Sequence, residues 1–196
     1  MRGREAHAEL FEVDMSSLLK LLGLGQKEKE KEKGVGDTDT VRRIARELES
    51  LEPERARFVA AFAYVLGRVA YADRDISDDE TIVMTHLVTE LGHLPEEQAA
   101  LVVEIAKNQN KLFGGTENFL VTREFREIAT REQREELLHC LFAVAAADDS
   151  ITSDEEAQIR QIASELGFDQ REFVNVRSAY NDKREVVKMM KKRELG

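Results

Sequence analysis

Ala72-Asp73-Arg74-Asp75-Ile76-Ser77-Asp78-Asp79-Glu80 returns 75 residues later (Ile151 against Ile76) as Ala147-Asp148-Asp149-Ser150-Ile151-Thr152-Ser153-Asp154-Glu155. The agreement spreads outward on both sides. Phe62, Val65, Leu66 and Val69 fall on Leu137, Cys140, Leu141 and Val144, while Met84, Leu87, Val88 and Leu91 fall on Ile159, Ile162, Ala163 and Leu166. Each copy ends Glu-Leu-Gly, at Glu90-Leu91-Gly92 and Glu165-Leu166-Gly167. Apolar positions three and four apart share one helix face, so each copy reads as helix, acidic turn, helix. We read an internal duplication of a helical unit.

Composition narrows the function classes. Hydrophobic residues are 42% of the chain, enough for a core, while 35% are charged and Trp is absent, which suits helices with solvated outer faces. Only two prolines, Pro53 and Pro95, interrupt the helix-permitting stretches. A net charge of −10 argues against a nucleic-acid binder, because phosphate contacts need a basic face. The single cysteine, Cys140, excludes an intramolecular disulfide and suits a reducing compartment. The longest apolar run, Phe58 to Gly67, has about half the roughly 20 residues a membrane-spanning helix needs. No basic start followed by an apolar run marks a signal peptide. A cytoplasmic protein with no transmembrane segment is the expectation.

Residues 1–36 read as an amphipathic arm and a charged linker. Met15, Leu18, Leu19, Leu21 and Leu22 make an apolar patch of about two helical turns, too short to be stable alone in water. It is a frayed arm, a helix docked on its own domain, or a helix that binds a membrane surface or a partner. Met15-Ser16-Ser17 also reads as a start, with Met1 to Asp14 as an upstream extension. Gln26 to Lys33 alternates Lys and Glu and is a solvated tether.

The folded body is expected over residues 37–181, in two halves of about 37–110 and 117–181. Thr38 or Asp39 caps a first helix carrying Val41, Ile44, Ala45, Leu48 and Leu51. Pro53 opens the next, with a stripe of Phe58, Phe62, Val65, Leu66 and Val69. Ser77 opens a helix stopped by Gly92, and Pro95 opens one carrying Ala99, Val102, Val103 and Ala106. Phe119, Val121, Phe125 and Ile128 lead into the second half, where Thr130, Thr152 and Asp169 cap three further helices, the last bearing Phe173, Val176 and Tyr180. No stretch alternates at period two, so no sheet is expected. The fold class is all-α: two similar antiparallel halves packed as one bundle. Residues 182–196 form a basic tail, interrupted by Val186, Val187, Met189 and Met190. That tail is a final helix, a loose end, or a contact to acidic lipid or an acidic partner.

The acidic turns carry the only concentrated chemistry. Ser77-x-x-Glu80 and Thr152-x-x-Glu155 match the capping box, in which hydroxyl and carboxylate satisfy helix-start N–H groups reciprocally. Those acids have a structural explanation. Asp73 and Asp148 differ, because each falls where the preceding helix exposes its carbonyls and a further negative charge is unfavourable. Asp75 and Asp149 add to it. An offset is needed, from a nearby Arg or Lys, from hydrogen bonds, or from Ca²⁺ or Mg²⁺, which accept such all-oxygen ligand sets. Candidate metal ligands are therefore Asp73, Asp75, Glu80, Asp148, Asp149 and Glu155, in one site per half or one site shared. An EF-hand is rejected: its glycine position holds Asp78 and its twelfth position Met84, with Ile159 in the second copy.

Catalytic residues are not evident. His7, His86, His93 and His139 have no metal-ligand spacing, and Gly114-Gly115 lacks the Lys and Ser/Thr of a phosphate loop. Cys140 sits in an apolar row and reads as a small buried hydrophobe, and its neighbour His139 faces elsewhere on the helix.

Tyr64-Val65-Leu66-Gly67-Arg68-Val69-Ala70-Tyr71-Ala72-Asp73, Ile76 to Glu80, and Ala145 to Glu156 together resemble the TerB family, tellurite-resistance protein B and its relatives. The resemblance covers about Asp37 to Tyr180. It implies an all-helical fold of two similar halves, no established catalysis, and a place in stress responses beside membrane partners. It also implies a candidate divalent-cation site, with Asp73, Glu80, Asp148 and Glu155 carrying over. Arg74 and Asp149 stand where that family usually has glycine, which bears on the turn geometry.

Two functions follow as expectations. The first is a non-catalytic interaction or scaffold protein, cytoplasmic or peripheral to the inner membrane, tuned by Ca²⁺ or Mg²⁺ at the acidic turns. It would engage a protein partner, free or at a membrane, through Met15, Leu18, Leu19 and Leu22. The second is a metal-dependent hydrolase acting at the acidic centre.

Overall fold

A computed structural model describes residues 35–70, 78–108, 118–147 and 150–194. Among them run nine helices: α1 (Val35–Glu49), α2 (Pro53–Ala70), α3 (Asp78–Gly92), α4 (Glu96–Lys107), α5 (Asn118–Ile128), α6 (Arg131–Ala145), α7 (Ser153–Glu165), α8 (Gln170–Ser178) and α9 (Glu185–Glu194). No strand occurs among the described residues, only one isolated bridge between Ile151 and Arg184. The chain is all-α.

It divides into two compact units, residues 1–57 and 58–196, with α2 passing from one into the other. In the first, Ile44 and Leu48 are buried at the helical spacing read from the sequence. The start of α1 is a correction. It begins at Val35, ahead of the cap expected at Thr38 or Asp39.

In the second unit α2 is buried on every side. Val59 through Leu66 are each 2% exposed or less, a wider burial than the stripe expected. The alanines among them allow neighbours to approach all round, as in a helix at the centre of a core. In α6, Leu137, Leu138, Cys140, Leu141 and Phe142 are fully buried. Helix α3 packs on α4 and α6, α6 also carries α7 and α8, and α5 packs on α7. Phe125 of α5 meets Phe58 and Phe62 at centroid distances of 5.3 and 5.9 Å. A second aromatic group joins Phe142 to Phe173 and to Tyr180, which lies just past the end of α8 rather than on it. Val121 and Phe125 are buried as the lead-in helix requires, but Phe119 is 56% exposed.

The local stop and start signals behave as short-range chemistry predicts. Thr130, Thr152 and Asp169 each form a capping box, with Gln133, Glu155 and Glu172 respectively. Replacing Thr152 by Ala is expected to cost about 1 kcal/mol. A fall in the urea midpoint reads it, and an unchanged midpoint would mean that Thr152 does not hold the start of α7. The matching Ser77 lies outside the described residues.

The two Glu-Leu-Gly stops end differently. Gly167 adopts φ +84°, and the amides of Gly167 and Phe168 donate to the carbonyls of Ser164 and Ala163 at 3.0 and 2.9 Å. That is the Schellman arrangement, which favours glycine. After α3 the left-handed residue is His93, at φ 48°. Gly92 is needed for closeness instead, since a Cβ there would stand 3.1 Å from Phe62 Cζ and 3.3 Å from Cys140 Sγ.

Helix boundaries recur at the offset of the repeat: Ala70 and Ala145 end α2 and α6, Asp78 and Ser153 begin α3 and α7. The interiors are less alike, and the duplication remains a reading of the sequence.

Candidate functional site

The C-terminal ends of α2 and α6 and the first turns of α3 and α7 enclose a cleft of about 240 Å³. Val69, Val83, Met84 and Val144 line its apolar part. Asp79, Glu80 and Glu155 line its acidic part. The structure therefore brings Glu80 and Glu155, one from each copy of the repeated turn, to a single cleft. Asp73, Asp75, Asp148 and Asp149 lie outside the described residues, as do Met15, Leu18, Leu19 and Leu22.

Both carboxylates sit at helix starts, where the dipole favours negative charge. Glu155 is partly committed: its Oε2 accepts from the Thr152 amide and the Thr152 hydroxyl, both at 2.8 Å. Oε1 is the oxygen left for a ligand outside the cap. Helix α3 is tied to the end of α4, since Lys107 Nζ donates to Thr81 Oγ1 at 2.7 Å and stands 3.7 Å from Asp78. The donor set toward a hard cation is all oxygen, as Ca²⁺ and Mg²⁺ require. Among the described residues, however, no group of three or more His, Cys, Asp or Glu comes together to hold a metal ion. Glu80 and Glu155 would need carboxylates from the intervening turns to complete such a site.

Two charged clusters nearby were not legible in the sequence. Glu156, the residue after Glu155, is buried and meets three arginines: Arg184 at 2.7 Å, Arg177 at 2.9 Å and Arg160 at 3.2 Å. Burial pushes its carboxyl up, but the hydrogen bonds and charges of Arg184 and Arg177 outweigh that and hold it below the ordinary range. Arg68, near the end of α2, reaches α5 and α7. Its Nη1 donates to Thr122 Oγ1 at 2.6 Å and to Glu165 Oε2 at 2.5 Å. The Arg68 carbonyl also accepts from Gln158 Nε2. The available signal was an Arg inside the apolar stretch from Phe58 to Ala70.

Cys140 is buried as expected, with its thiol pushed up to about 12 by burial and by the Glu136 charge, which favours the protonated form at neutral pH. His139 pairs with Tyr180, whose hydroxyl donates to the His139 carbonyl at 3.1 Å. Burial lowers the His139 pKa. No described helix is long and apolar enough to cross a membrane.

The family model described as tellurite resistance protein TerB matches residues 58–178, more than half of the chain, and both acidic turns fall inside the match. Neither a curated protein nor a solved structure matches.

Proposed function

The chain belongs to the TerB family, and from that premise we propose that it is a non-catalytic interaction protein of the stress response, tellurite resistance included. Its acidic cleft is the working surface, and Ca²⁺ or Mg²⁺ bound there tunes it. The observation that supports this reading most is the convergence of Glu80 and Glu155, from two separate turns, on one cleft with an apolar floor. A surface part apolar and part charged is what recognition of another chain uses. The protein acts in the cytoplasm or at the inner face of a membrane, and the arm carrying Met15, Leu18, Leu19 and Leu22 engages a protein partner in either place.

Calorimetric titration of Ca²⁺ and Mg²⁺ into the full chain tests it, beside the Glu80→Gln/Glu155→Gln pair. A saturable heat, accompanied by a rise in melting temperature and weakened in the variant, is the expected result, because an ion bound only by the native state stabilises it. No saturable heat at millimolar ion would remove the cation. Metal-dependent turnover of phosphate esters, lost in the same variant, would replace this reading with a hydrolase.

A further inference from the structure

Two surfaces of this molecule are apolar, exposed and opposite in charge. One is the face of α3 beside the cleft. Ile82 and Val83 are 69% and 47% exposed there, and Asp79, three and four residues earlier, shares their face. Glu80 and Glu155 border it across the cleft. The other surface is α9, whose Val186, Met189 and Met190 are all exposed and share one face at spacings of three and four. The remaining positions of α9 include Lys188, Lys191, Lys192 and Arg193.

Helix α9 is held at its base. The Ile151 amide donates to the Lys183 carbonyl at 2.9 Å, and the Glu185 amide donates to the Ile151 carbonyl at 3.0 Å. Arg184, the residue before α9, donates from Nε and Nη2 to Glu156 at 2.7 and 3.0 Å. The start of the helix is therefore fixed to the start of α7, so little conformational freedom is lost when its apolar face is covered.

We propose that α9 of one copy docks on the Ile82–Val83 face and acidic cleft of a second copy. The argument for a second copy is charge. The tail from Asp182 onward has six basic residues against three acidic ones, so the rest of the chain is more acidic than the −10 of the whole. An anionic bilayer would attract α9 and repel everything attached to it. An acidic, apolar-floored surface complements α9 in both respects, and every copy carries one. Ile151, which holds the base of α9, lies four residues before Glu155 of the cleft, so donor and acceptor surfaces are neighbours on each molecule. That placement suits a reciprocal exchange about a two-fold axis, the commonest closed symmetry. Methionine suits the role because its flexible thioether fills irregular apolar gaps. A contact of one short helix per copy is small, which places it among weak, salt-sensitive associations. This inference rests on the cleft being an interaction surface and names its partner.

Sedimentation of the full chain up to about 1 mM, the weak limit of specific association, is the test. A concentration-dependent dimer that dissociates at high salt is expected. Ile82→Lys/Val83→Lys and Lys188→Glu/Met189→Glu change only exposed positions, so both should fold, as far-ultraviolet circular dichroism checks. Each should weaken the dimer at least tenfold. An equimolar mixture of the two variants should recover a mixed dimer, since lysine face then meets glutamate helix. A wild-type chain that stays monomeric, or dimers indifferent to both variants, overturns the proposal. So does a monomer that floats with phosphatidylglycerol vesicles and loses this in the α9 variant, which assigns the helix to lipid. A monomeric chain that still shows the Ca²⁺ or Mg²⁺ heat sinks only the second-copy partner and leaves the proposed function standing.

Discussion

Arg68→Ala is expected to lower the unfolding free energy by about 3–5 kcal/mol, the cost of breaking a buried ion pair from one side. The Arg68 and Glu165 side chains are 4% and 8% exposed. The guanidinium joins three helices, donating to Thr122 on α5 and to Glu165 on α7. Its removal leaves a buried carboxylate held only by neutral donors, among them the Gln161 amide at 2.9 Å and the Thr122 hydroxyl, with no positive charge to offset it. Replacing both charged partners together, as Arg68→Met/Glu165→Leu, should cost much less, because no uncompensated charge is then left inside. Equal losses in the single and double variants, measured by urea unfolding, would show that packing and not charge is at stake.

The same pair sets a pH dependence. Burial raises the Glu165 carboxyl pKa, but hydrogen bonds from Arg68 and Gln161, the Arg68 charge and Thr122 together bring it below its ordinary value. A carboxyl with a depressed folded pKa contributes stability that is present above its unfolded value, about 4.3, and lost as pH falls through the folded value. Wild-type stability should therefore drop on acidification below about pH 4.5, with Glu156 adding to the same slope. In Arg68→Ala the sign reverses for Glu165, since burial then dominates and protonation relieves the unpaired charge. The deficit of the variant against wild type should shrink between pH 7 and pH 4.

Phe62→Ala is expected to cost about 3–5 kcal/mol through lost burial and the cavity left behind. Phe62 is fully buried, with Phe58 and Phe125 at centroid distances of 6.0 and 5.9 Å. Its ring also occupies the space that a side chain at Gly92 would need. Gly92→Ala alone should destabilise, because its Cβ meets Phe62 at 3.1 Å. In the Phe62→Ala background the same change should cost less or even help, since the ring that it strikes is gone. Additive effects in this cycle would show that Gly92 and Phe62 do not compete for one space.

Helix content, the order of the helices and most of their ends were legible in the residues. Thr130, Thr152 and Asp169 cap because an oxygen two or three residues from a helix-start N–H finds it whatever the rest of the chain does. Buried positions such as Val102, Val103, Ile159 and Ile162 follow from periodicity alone. The family, too, lay in short motifs around the two turns.

What local chemistry could not decide was who meets whom. Arg68 and Glu165 are 97 residues apart, and Glu165 read only as part of a stop signal. Position 143, the counterpart of Arg68 in the repeat, is Ala143, so the repeat could not name a partner for the Arg in the apolar stretch. Glu156 is one of three acids in the first turn of α7, yet it alone of them turns inward to three arginines, one on α7, one on α8 and one at the base of α9. His93 takes the left-handed turn that the glycine beside it promised, because Gly92 is pressed between Phe62 and Cys140. That Glu80 and Glu155 line one cleft likewise depends on where α2 and α6 end against α3 and α7. Caps and periodicity act within a turn or two of the chain and are written in it. Ion pairs, close approaches and clefts depend on how helices cross, and that is set by the packing of the whole core.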